Sequence, residues 1–117
     1  KEWEKIFSGI KGAVDVVAFQ DGHVDYDQLL DFIKVNKELA DNNNIESWIN
    51  TETFDRDMPI KFLPIKWDKL KYKLDIASKA GIKEAITFEF SHFMSPQSSY
   101  IQANHLYNRY MDYIEKR

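Results

Sequence analysis

Cysteine is absent from this 117-residue chain. That removes disulfides, thiolate metal sites and a cysteine nucleophile together. Glycine is scarce at four residues, and neither GxGxxG nor GxxxxGK followed by Ser or Thr occurs, so no phosphate-cradling loop is expected. No apolar run approaches the ~18 residues of a membrane-spanning helix. Basic excess is missing too. Sixteen Lys and Arg against 19 Asp and Glu leave a net charge of −3, and the lysines are spread rather than clustered, which argues against a nucleic-acid partner. A signal peptide is not recognisable; the chain opens directly in a helical pattern, as a processed or cut start would. No cofactor is expected.

Hydrophobic residues make up 44% of the chain and aromatics 15%. This suffices for a core, excludes a disordered chain, and fits one α/β unit over residues 1–117.

The most informative stretch runs from Ile45 to Phe54. Trp48, Asn50, Glu52 and Phe54 alternate with Ser47, Ile49, Thr51 and Thr53, the two-residue period of a strand. Helical patterns flank it. Trp3, Ile6, Phe7 and Ile10 predict a helix over 2–11 that stops near Gly12, and Val14–Phe19 predicts a buried strand. Asp25 and Gln28 have capping-box spacing ahead of a helix reaching about Ala40, and Asn42–Asn44 supply turn chemistry. Pro59 and Pro64 bracket a predicted loop. Trp67, Leu70, Leu74 and Ala77 space a third helix ended by Gly81. Lys83–Phe90 predicts a third strand, and Tyr100 to Ile114 a last helix.

The order is αβαβαβα, which implies three parallel strands near 14–20, 45–52 and 84–91 joined by helical crossovers. Each strand offers small or polar groups to one side and bulky apolar groups to the other. We expect Ala18, Gln20, Trp48, Asn50, Glu52, Thr87 and Glu89 on one face, with Val17, Phe19, Ile86, Phe88 and Phe90 on the face toward helices. That asymmetry belongs to a barrel. Unpartnered edges and an unfilled inward face predict self-association of the chain.

Three clusters carry a resemblance: Val14-Asp15-Val16 running into Phe19-Gln20-Asp21-Gly22; Trp48-x-Asn50-x-Glu52-x-Phe54; and Ile86-Thr87-Phe88 running into His92-Phe93-Met94-Ser95-Pro96. Together they resemble the C-terminal part of bacterial glycoside hydrolases with a TIM-barrel fold, the domain-of-unknown-function family 4434. The resemblance implies a (β/α)8 barrel whose last three strands are present and whose first five are not. It also implies carbohydrate as partner and a secreted or periplasmic location. Glu52 would close the seventh strand, where many retaining barrel glycosidases hold their nucleophile, while the acid/base usually ends the absent fourth.

A carboxylate at the C-terminal end of a strand is costly unless paired, solvated or used. Glu52 is the first catalytic candidate and Asp21 the second. Glycoside hydrolysis uses two carboxyl groups, about 5–5.5 Å apart when retaining and about 6.5–9.5 Å when inverting. Gln20, Asn50, Glu89 and His92 are candidate substrate-binding groups, and Trp48 a stacking surface. The alternatives stay open. Glu52 could accept structural hydrogen bonds, Trp48 could be core, and His92 could be a satisfied structural histidine on the face opposite Glu89. A metal-dependent hydrolase using Asp21, Glu52 and His92 is a further reading, as is a non-catalytic carbohydrate-binding or structural barrel.

Overall fold

The computed structural model describes residues 2–57 and 61–116. Strands β1 (Val16–Gln20), β2 (Glu46–Glu52) and β5 (Ala85–Phe88) form one sheet in the order β1-β2-β5. β1 and β2 are parallel, with Ala18 beside Trp48 and Gln20 beside Asn50. On the other side of β2, the Ile49 amide donates to the Glu84 carbonyl and the Thr53 amide to the Phe88 carbonyl. Donor and acceptor advance in the same direction, so this pair is parallel as well. Helices α1 (Glu2–Ile10), α2 (Leu29–Asp41), α3 (Trp67–Lys79) and α5 (Ile101–Glu115) alternate with the strands. The result is the α/β arrangement of a TIM-barrel segment.

The chain divides into two compact units, Lys1–Thr51 with Lys73–Ile86, and Glu52–Tyr72 with Thr87–Arg117. The first is held by aliphatic packing. Leu29, Ile33, Ile49, Ala77 and Ile82 form one buried cluster, while Phe7, Ala40 and Ile45 form another that Val17 and Phe19 join. Each Leu, Ile or Phe side chain among them taken from water contributes roughly 1.5–3 kcal/mol. Gly12 and Gly81, at φ 84° and 89°, turn the chain after α1 and α3 where a side chain would be strained. Asn44, at φ 56°, does the same before β2.

The second unit is aromatic. Phe54 lies 4.9 Å between centroids from both Phe62 and Phe93, and Phe93 stacks on Tyr100. Ile65, Met94, Ala103 and Leu106 are also buried in this unit.

Four local expectations change. Asp25 makes no side-chain cap; the chain enters α2 through a 3-10 turn over Tyr26–Gln28 instead. The stretch read as a loop holds an antiparallel hairpin of β3 (Phe54–Asp57) and β4 (Lys61–Pro64), with Phe54 beside Pro64. Pro64 is tolerated because it closes an outer strand; Pro59 lies outside the described residues. The third strand ends at Phe88, and Glu89 caps a short helix, α4 (Phe90–Phe93).

The face expected for that strand is also reversed. A parallel amide bonds to the residue preceding its partner, so Ile49 sits beside Ala85 and Thr53 beside Glu89. Ile86 therefore shares the face of Asn50, and Phe88 that of Glu52. Both are open to solvent, at 42% and 46%. Register with the neighbour, not side-chain bulk, fixes the face of a strand.

Candidate functional site

In the first unit, Gln20 and Asn50 are direct neighbours across β1 and β2, with Trp48 one pleat back beside small, exposed Ala18. The indole Nε1 of Trp48 and the Oδ1 of Asn50 are shielded and meet no hydrogen-bond partner among the described residues. Buried polar atoms are normally satisfied, so these two hold unused hydrogen-bonding capacity. Asp21 follows β1 directly. Its side chain is fully buried, and its Oδ2 lies 2.8 Å from the Nζ of Lys73, itself only 10% exposed. Lys73 Nζ also stands 5.7 Å from the Tyr26 ring centroid. Charge compensation of this kind is what makes a carboxylate tolerable inside a protein.

In the second unit, Glu52 closes β2 and is 3% exposed. Its Oε1 accepts a hydrogen bond from Arg56 Nη2 at 2.8 Å. Arg56 is held in turn by the hairpin aromatics: its guanidinium carbon lies 5.7 Å from the Phe54 ring centroid and 5.4 Å from that of Phe62. Two rings and a carboxylate thus fix a planar cation. The negative charge of Glu52 is matched without being solvated.

Glu89 and His92 belong to this unit too, and they are together rather than on opposite faces. Because the strand stops at Phe88, α4 brings positions three apart onto one side. His92 Nδ1 lies 2.7 Å from Glu89 Oε1, which also accepts the His92 amide at 3.0 Å. Glu89 Oε2 accepts the Ser91 amide at 2.9 Å. Glu89 was expected within a strand; it stands instead at a helix entry, consumed by these bonds.

Among the described residues no group of three His, Cys, Asp or Glu side chains gathers as a metal site, and the His92 Nδ1 is committed to Glu89. Lys73, Arg56 and Thr53 escaped the sequence reading. Arg56 carried a signal, since four residues from Glu52 an alternating strand returns to the same face. Lys73 carried none, because its partner lies far away along the chain.

A sequence model of the family described as "Domain of unknown function (DUF4434)" matches residues 1–100. Among solved structures, the chain is similar to one described as a "putative alpha-L-fucosidase" from Bacteroides thetaiotaomicron VPI-5482. Identity is 62% and the TM-score 0.90, covering 98% of this chain and 36% of that one. The chain therefore spans about a third of the length of that relative. No curated protein matches.

Proposed function

Since the chain belongs to the DUF4434 family, we propose that it is the C-terminal part of a glycoside hydrolase in which Glu52 is a catalytic carboxylate. The observation that carries this reading is a buried, charge-matched glutamate closing the central strand of a parallel sheet. The C-terminal ends of such strands are where barrels place their chemistry. The hydrogen bond from Arg56 holds the carboxyl group in one orientation, which a nucleophile or general base needs. Within the first unit, the Gln20 amide and the indole face of Trp48 are of the kinds that contact sugars. Asp21, sealed against Lys73, anchors the end of β1. The proton-donating acid lies in the remainder of the protein, so the isolated chain is inactive.

The name of the similar structure makes an α-L-fucoside the first substrate to try. With full-length protein and an aryl α-L-fucoside, Glu52→Gln should lower turnover by on the order of 10³-fold or more while preserving the fold. A Gln variant that turns over at the wild-type rate refutes the assignment. The burial of Glu52 favours one second reading, a non-catalytic sugar-binding barrel; it predicts L-fucose binding by a wild-type protein that hydrolyses nothing.

A further inference from the structure

The Glu89–His92 pair is more than a helix cap. Two amide bonds, to Ser91 and His92, already satisfy the start of α4, so the contact to the imidazole at 2.7 Å is surplus to capping. That contact fixes a chemical property. A carboxylate can only accept, so Nδ1 carries the hydrogen, and a neutral ring then presents its lone pair at Nε2. The ring is 75% exposed, and Nε2 has no partner among the described residues.

The mount beneath it is rigid. The Thr53 hydroxyl donates to the Glu89 carbonyl at 2.9 Å and the Thr53 amide to the Phe88 carbonyl at 2.7 Å. Ser98 Oγ donates to the carbonyl of His92. Thr53 is also the residue after Glu52, so the turn bearing the imidazole is tied to the strand end bearing the proposed catalytic group. Phe88 and Phe90, 46% and 48% exposed, flank Glu89 in sequence and add apolar surface. A directed acceptor beside exposed aromatic rings matches the mixture of hydroxyl and C–H faces on a pyranose.

We infer that His92 contacts the sugar, its Nε2 accepting a hydrogen bond from a substrate hydroxyl, and that Glu89 is a positioning residue that sets the tautomer. The identity of the ligand as a sugar rests on the function proposed above; the tautomer does not. Glu89→Leu tests the positioning role, because it takes the acceptor away from Nδ1 and leaves nothing to hold the hydrogen there. Glu89→Gln, with its amide oxygen in the place of Oε1, keeps an acceptor for both the His92 amide and Nδ1 and gives up the Ser91 bond.

The test is nitrogen-15 NMR of the histidine rings in full-length protein, with His92 assigned by its loss in His92→Gln. The wild type and Glu89→Gln should show the Nδ1–H tautomer, and Glu89→Leu a shift toward Nε2–H. Saturating L-fucose should move the wild-type Nε2 signal. His92→Gln and Glu89→Leu should each raise KM for an aryl fucoside roughly tenfold, the loss of about one hydrogen bond, with kcat little changed, and Glu89→Gln should stay near the wild type. An Nε2–H tautomer in the wild type overturns the inference, as does an Nε2 signal that L-fucose leaves unmoved. If either appears while Glu52→Gln still abolishes hydrolysis, the His92 contact falls and the hydrolase reading stands. A wild type that is inert on the fucoside but whose Nε2 responds to L-fucose gives the reverse.

Discussion

The Thr53 hydroxyl and the Glu89 carbonyl meet at 2.9 Å across thirty-six positions of sequence. Thr53 is fully buried, so the donor's side of this bond is closed to water. Thr53→Val keeps the volume and removes the donor, leaving the carbonyl unmatched at a cost of about 1–3 kcal/mol. Urea unfolding should show the midpoint falling for Val and largely retained for Thr53→Ser. Identical midpoints for Val and wild type would make the bond dispensable.

Arg56 and Glu52 should be energetically coupled. Removing the guanidinium in Arg56→Met takes away one partner of a buried carboxylate. Since Arg56 is 35% exposed, solvent screening keeps the loss to about 1–2 kcal/mol rather than the larger figure of a fully buried pair. Combining it with Glu52→Gln should recover part of that loss, because no charge remains to be matched. Arg56→Lys should fall between, keeping charge but not the planar contact with Phe54 and Phe62. Strictly additive losses in the double variant would show that the two side chains act independently.

These pairs also show where sequence reasoning stops. Helix and strand periods placed α1, α2, α3, α5 and the three parallel strands, because half-buried elements write their burial into residue spacing. The strand-end position of Glu52 followed from the same pattern. The phase of β5 did not. Ile86 and Phe88 look like helix-facing residues by bulk, yet register with Asn50 and Glu52 turns them the other way. The hairpin was hidden because two four-residue strands between prolines carry too few alternations to outweigh turn chemistry. The Glu89–His92 pair depends on where β5 ends, and a strand end is set by hydrogen bonds from Thr53 that no local pattern announces.

The isolated 117-residue chain should self-associate. In the sheet order β1-β2-β5, β1 and β5 are edges, and unpaired strand edges template further pairing. Exposed Ile86 and Phe88 add apolar area to the β5 edge. Light scattering across a concentration series should show mass rising above 13.9 kDa. Substituting Lys at both positions, which gives the edge charge, should suppress it. A monomer that persists at the highest concentration would mean these edges are blunted by other means.

Asp21 decides between an anchor and a second catalytic carboxylate. Its side chain is wholly buried against Lys73, and the pair links the end of β1 to α3 within the first unit. An anchor predicts that Asp21→Asn and Lys73→Met each destabilise the full-length protein by about 3–5 kcal/mol, the range for breaking a buried ion pair. It predicts that the double variant regains much of this, since the charge mismatch is gone. Turnover per folded molecule should stay within about threefold of wild type in Asp21→Asn, because the group does not reach substrate. A catalytic Asp21 gives the opposite pattern: turnover collapsing by orders of magnitude at an unchanged unfolding midpoint, with no rescue by Lys73→Met. Unfolding curves and single-substrate kinetics on the same preparations separate the two, because stability and turnover then move on different axes.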